Sequence, residues 1–219
     1  VSPYLAFGKT YGKMTGMPVG LIQTSLGGSP MERWNPKDGD LYLNMVDKIH
    51  ETGGRYAGVL WYQGCSDTNP GPAEKYLEHF REYVEATRKE LGYEIPFFTM
   101  QLNRQINGIN DECWGMVRDA QARAAKEIPG VSVLTTSNLS LCDGIHNTAQ
   151  ANVALGEKLA KQCAHVLNGK EEYQPPELVK VERTDEAERK SFQLEGSGIW
   201  LKLTCDHVKN CFLVYSAVG

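Results

Sequence analysis

From Pro18 to Leu167, short apolar runs that end in glycine-bearing loops alternate with stretches whose apolar residues recur at helical spacing. Strict alternation leaves little choice of architecture. Each strand returns beside its predecessor through a crossing helix, which builds a parallel sheet with helices on both faces. The spacing predicts helix over 3–15, strand 18–24, helix 40–51, strand 57–63, helix 73–91, strand 95–101, helix 113–127, strand 131–136 and helix 148–167. The helix over 73–91 carries the plainest signal, with Tyr76, Leu77, Phe80, Tyr83, Val84, Thr87 and Leu91 at helical spacing and charges opposite. After Asn168-Gly169 the pattern changes: Tyr173-Gln174-Pro175-Pro176 reads as a linker, and the runs Ile199–Leu203 and Cys211–Tyr215 read as short strands. The expected division is an α/β domain over 1–172, then a linker and the beginning of a β-rich module over 173–219.

With 219 residues and 41% hydrophobic content, the chain can bury one core and a small appendage. A net charge of -4 without any run of Lys and Arg argues against a dedicated nucleic-acid binder. No apolar stretch approaches the ~20 residues that span a membrane. The six cysteines show no C-x-x-C spacing, so neither a zinc ribbon nor a thioredoxin motif is supported.

Three loops carry the candidate chemistry. Asp143-Gly144-Ile145-His146-Asn147-Thr148 places a carboxylate and an imidazole three residues apart at the mouth of a predicted helix, with Asn147 and Gln150 reading as a capping box. Asp143 can accept from one ring nitrogen and leave the other free as a base, the acid-base half of a hydrolase. The same residues also suit a plain surface loop that starts a helix. The run Val59-Leu60-Trp61-Tyr62-Gln63-Gly64-Cys65-Ser66-Asp67 begins as a strand and ends in a loop, where ligand contacts collect in an open α/β sheet. Gln63 then offers a side-chain donor at a strand's carboxyl end. Ser25-Leu26-Gly27-Gly28-Ser29-Pro30 follows the strand over 18–24, and its backbone amides can approach a ligand closely. It is not a phosphate loop, because the Lys-Ser/Thr of that motif is absent.

Together these loops resemble the SGNH hydrolases, in the branch of carbohydrate esterases that includes sialate O-acetylesterases and some acetyl-xylan esterases. Gly27-Gly28-Ser29-Pro30-Met31-Glu32-Arg33-Trp34 is similar to that family's glycine block, Trp61-Tyr62-Gln63-Gly64 to its oxyanion block, and Asp143 with His146 to its Asp-x-x-His block. Trp114, Arg118 and Gln121 resemble a helix between the last two blocks. The resemblance covers roughly residues 4–168. It implies a three-layer α/β/α, flavodoxin-like parallel sheet and acyl transfer through a serine ester, with no cofactor or metal. His146 would be the base, Asp143 its orienting carboxylate, and Gly28 and Gln63 the oxyanion donors. Arg33, Trp34 and Trp61 would bind an acetylated sugar or glycan. A plain core role suits Trp61 equally, and Arg33 can instead pair with Glu32 or Asp38. Secretion or a periplasmic location is a further implication of the family.

The chain departs from the family pattern twice. The family's nucleophilic serine lies in a block of the type Gly-Gln/Asp-Ser at the end of the first strand, and the sequence opens at Val1 downstream of where that block belongs. The expectation is a sheet without its first, central strand, and a serine upstream of this chain. Cys65 stands where the family commonly has Glu. If Gln63 and His146 converge, Cys65 and Cys142 flank the converging loops and could form a disulfide. Other readings are a non-catalytic carbohydrate-binding descendant of an esterase, and a cysteine hydrolase using Cys65 with His146. Ser25 and Ser66 are the remaining nucleophile candidates.

Overall fold

The computed structural model describes residues 2–169, 177–183, 190–195 and 203–205. Two compact units divide at Gly169. The first contains α1 (Tyr4–Thr15), α2 (Asp40–Thr52), β1 (Val59–Trp61), α3 (Pro72–Leu91), β2 (Phe97–Met100), α4 (Asp111–Glu127), β3 (Val131–Leu134) and α5 (Ala149–Asn168), with 3-10 turns at Met31–Trp34 and Cys65–Asp67. The strands pair in parallel in the order β1-β2-β3, Leu60 opposite Phe98 and Thr99 opposite Val133. This is the α/β class that the alternation requires.

β2 is buried along its whole length, as a parallel strand covered on both faces must be. On one side, Phe97 meets Phe80 and Tyr83 of α3 edge-on, and Trp61 lies against Tyr83 with centroids 4.6 Å apart. Leu41, Tyr42 and Met45 of α2 and Val117, Ala120 and Ala124 of α4 complete that core. Elsewhere in the unit α1 packs on α5, with Tyr11 donating to Asn168 Oδ1 at 2.8 Å. Gly156 allows the approach, because a Cβ there would sit 2.1 Å from the Pro3 carbonyl oxygen.

Two expectations need correction. Residues 18–24 form no strand, and Leu21 and Ile22 are exposed. A strand exists through its ladder, and among the described residues this segment has no ladder partner. The cap of α5 is Thr148, one residue later than expected, and its Oγ1 accepts from the Ala151 amide at 3.1 Å. Asn147 is drawn away by other partners.

The second unit contains β4 (Glu177–Arg183), β5 (Lys190–Glu195) and β6 (Leu203–Cys205), antiparallel in that order. The strand expected over 199–203 meets β6 at Leu203; the rest of that run, the strand over 211–215 and the linker over 173–176 lie outside the described residues. Among the described residues no helix is long and apolar enough to cross a membrane.

Candidate active site

Asp143 and His146 lie in a tight turn between β3 and α5. Leu141 and Asn147 form an antiparallel bridge, and the Cys142 amide donates to the His146 carbonyl at 2.9 Å. Asp143 Oδ1 accepts from the amides of Ile145 and His146 at 2.8 and 2.7 Å, and Oδ2 accepts from His146 Nδ1 at 2.8 Å. These bonds, the two backbone donors above all, hold the Asp143 carboxyl down at about 2. An ionised carboxylate can only accept, so Nδ1 carries the proton and Nε2 is left with its lone pair. No described residue bonds Nε2, and the side chain is 64% exposed. The geometry is that of an oriented general base.

The loop after β1 approaches this turn. Asn147, next to His146, donates to the Tyr62 hydroxyl at 3.0 Å, and Tyr62 is the neighbour of Gln63. Asn147 Oδ1 accepts from Asn103 Nδ2 at 2.8 Å, so one buried amide ties together the loops after β1 and β2 and the His146 turn. On the other side of the turn, the Ile106 amide donates to the Gly144 carbonyl at 3.0 Å. Tyr62 lay inside the predicted strand 57–63 and the block resembling the oxyanion loop, without a role of its own, and Asn103 was not singled out; its one sequence signal was its position just past the predicted strand 95–101.

Gln63 sits where its strand end predicts, but its amide is occupied. Nε2 donates to the Ser29 carbonyl at 2.9 Å and to Asp67 Oδ2 at 2.5 Å. Its carbonyl oxygen Oε1 is buried without a partner. Both bonds require the nitrogen on that side, because Oε1 would there face two acceptors. Gly64 follows with φ 141, a conformation that side chains rarely adopt, and a Cβ there would lie 3.0 Å from Gln121 Nε2. Gln121 in turn donates to the Gln63 carbonyl at 2.8 Å and accepts from the Leu102 amide at 2.8 Å.

Asp67 is 3% exposed and also accepts from the Met31 amide, at 3.0 and 3.1 Å. Burial raises its pKa, against the bonds from Gln63 and Met31 that lower it. It lines a cavity of about 390 Å³ together with Met31, Glu32, Lys75, His79 and Glu82. The glycine loop is held from inside by Ser29, whose hydroxyl donates to the Leu26 carbonyl at 2.8 Å and accepts from Trp34 Nε1 at 3.1 Å. Gly28 itself is exposed at φ 72.

The expected sugar-binding residues are placed otherwise. Trp34 and Trp61 are 3% and 5% exposed and stack edge-on at 5.1 Å, so their faces belong to the core and not to a sugar ring. Trp114 is likewise buried, donating to the Asn103 carbonyl at 2.8 Å. Arg33 pairs with Asp40 through Nε at 2.9 Å and Nη2 at 2.5 Å, so this fork is taken by a carboxylate of the chain itself. Arg118 donates to Ser137 Oγ at 2.5 Å.

The expected disulfide is absent. Cys65 and Cys142 are free thiols, and Cys142 Sγ points back to the carbonyls of His146 and Asn147 at 3.4 and 3.5 Å, within its own turn. Burial pushes the Cys65 thiol up to about 11, and the nearby Asp143 and Asp67 carboxylates add to the shift. That makes it a poor nucleophile. Ser25 is exposed, and neither Ser25 nor Ser66 bonds His146.

A carbohydrate acetylesterase from Xanthomonas citri has a solved structure with a TM-score of 0.74 to this chain at 24% identity, covering 88% of this chain and 46% of the other; it shares the fold. A solved structure of an Arabidopsis thaliana protein gives a TM-score of 0.68 at 27% identity, over 76% of this chain and 69% of the other. A relative described as a probable carbohydrate esterase, also from Arabidopsis thaliana, is 30% identical over 149 residues, 65% of this chain and 54% of its own. The chain therefore spans about half the length of that curated relative. With an α/β sheet, an Asp-His pair at its strand ends and a family model that matches residues 1–165, the chain belongs to the family described as carbohydrate esterase, sialic acid-specific acetylesterase.

Proposed function

We propose that this chain carries the acid-base part of a carbohydrate O-acetylesterase, which hydrolyses acetyl esters on sugars in the manner of a sialate 9-O-acetylesterase. The observation that carries this reading is the Asp143-His146 pair, its Nε2 open, beside the loop that bears Gln63. No serine of the described residues bonds His146, and the reaction needs a serine nucleophile. Its hydroxyl oxygen attacks the acetyl carbonyl while His146 Nε2 takes the proton, and Asp143 stabilises the imidazolium. The oxyanion is met by the serine's own amide, the Gly28 amide and Gln63, which exchanges one of its two present bonds for it. Collapse expels the sugar oxygen, which takes the proton from His146. Water then attacks the acyl-serine with His146 again as base, releasing acetate.

A second reading, a carbohydrate-binding descendant without turnover, is supported by one observation: both Nε2 hydrogens of Gln63 are already committed. The test is acetate release from an aryl acetate and from O-acetylated sialic acid, by the polypeptide that includes the upstream segment. His146→Ala should lower kcat by a factor on the order of 10⁴–10⁶. Sugar binding without acetate release in the unsubstituted protein would favour the second reading.

A further inference from the structure

One buried carboxylate joins the two loops to which the proposed oxyanion donors belong. We propose that Asp67 is a positioning residue for that oxyanion site, fixing the Gln63 amide and the glycine loop to each other. The inference rests on the esterase reading above and adds a residue to it.

The geometry is specific. Asp67 reaches the 3-10 turn that directly follows the glycine loop through the Met31 amide, 36 residues away in sequence, and reaches Gln63 through Nε2. Its own amide is fixed by the Gly64 carbonyl at 2.9 Å. Of the two bonds made by Gln63 Nε2, the one to a carboxylate is the charge-assisted and stronger bond, and the one to the Ser29 carbonyl is neutral. When an oxyanion asks for a hydrogen, the Ser29 bond is the one that gives way. Asp67 then stays as the pivot that keeps the second hydrogen, and with it the plane of the amide, in place. Without it, the amide would have to be ordered during the reaction, at a cost in rate more than in binding.

Asp67→Asn tests this in the full-length polypeptide. The substituted side chain is the same size but has a single acceptor, and its NH2 must face the hydrogens of either Met31 or Gln63. The expected result is a fall in kcat of roughly tenfold or more, bounded by the roughly 10²–10³ that a lost oxyanion donor costs, with KM nearly unchanged. Combined with Gln63→Ala, the loss should be less than the product of the two single losses. An unchanged kcat, a change in KM alone, or fully multiplicative losses would overturn the proposal. Hydrogen exchange of the Gln63 side-chain amide, read by NMR in residues 1–219, gives a result independent of turnover. It should accelerate in Asp67→Asn, and unchanged exchange overturns the strut whether or not the protein is an esterase. Equal acetate release by unsubstituted protein and His146→Ala would instead overturn the esterase reading. If Asp67→Asn does not fold, Asp67→Glu replaces it: the longer arm displaces Gln63, and kcat should again fall while KM holds.

Discussion

Replacing Asp143 with Asn changes one atom and should reverse the tautomer of His146. The carboxylate makes three bonds, two from backbone amides to Oδ1 and one from His146 Nδ1 to Oδ2. In the Asp143→Asn protein the amide oxygen must stay with the two backbone donors, because an NH2 there would oppose two N–H groups. The NH2 therefore faces Nδ1, which can satisfy it only as an acceptor. The ring proton moves to Nε2, and the nitrogen meant to act as base becomes a donor. A wrong tautomer of this kind lowers kcat by roughly 10⁴ while leaving the turn intact. The assay that does not need turnover is ¹⁵N NMR of the His146 ring in residues 1–219, where the protonated nitrogen should change from Nδ1 to Nε2. An unchanged tautomer, or a kcat within tenfold of the parent protein once the nucleophile is present, would refute the reasoning. The pH dependence has a definite sign. Asp143 is lowered from 3.8 to about 2 on folding, so its contribution to stability is present above 3.8 and lost as pH falls through about 2. At neutral pH Asp143 stays charged.

Gly156→Ala should lower Tm, because the new Cβ would lie 2.1 Å from the Pro3 carbonyl oxygen and 2.9 Å from the Phe7 amide, forcing α1 away from α5. Overpacking of about 1–3 kcal/mol exceeds or matches the ~1 kcal/mol that Ala gains over Gly in a helix, and each net kcal/mol moves Tm by about 2–4 °C. A raised Tm by calorimetry would mean that α1 does not pack on Gly156. Both Cys65 and Cys142 should be alkylated without prior reduction, the exposed Cys142 well before Cys65, whose thiol is held up at about 11. A linked Cys65-Cys142 peptide in a non-reducing map would contradict the free thiols.

Local pattern was enough for the helices and for β1, β2 and β3, since each depends on spacing that the chain states residue by residue. It failed at 18–24, where Val19, Leu21 and Ile22 have strand propensity but a ladder needs a partner. The cap of α5 slipped by one residue for a related reason. Asn147 and Thr148 are both good caps, and the choice is made by Tyr62 and Asn103, distant in sequence, which take the Asn147 amide. Asp143 and His146 were legible because their whole interaction lies within four residues. Asp67 was not, because an Asp in a Gly-Cys-Ser-Asp loop reads as surface until the fold buries it. For the tryptophans the sugar-binding expectation failed while the core role left open for Trp61 held: Trp34 and Trp61 are buried as each other's partners. Arg33 found Asp40 seven residues on, where sequence proximity pointed to Glu32 or Asp38.

The buried polar residues around the site share a physical origin. Parallel strands that stop abruptly leave the first residues of each following loop with backbone groups that no ladder satisfies. Leu102 after β2 gives its amide to Gln121, the Gln63 carbonyl after β1 accepts from Gln121 and from Tyr76, and the Leu139 carbonyl after β3 accepts from Asn103. Each of these side chains is almost fully buried, and losing Gln121 would leave the Leu102 amide unpaired at a cost of about 1–3 kcal/mol. Satisfying the strand ends therefore fixes the loops as a consequence. Asn103 Nδ2, which satisfies the Leu139 carbonyl after β3, also holds the His146 turn through Asn147, and Asp67, which accepts from the Met31 amide, also holds Gln63. Order at the site thus comes from the need to close the sheet, and substitutions at these polar residues should disturb the geometry of the His146 turn and the Gln63 amide even though none of them reaches the open Nε2 of His146.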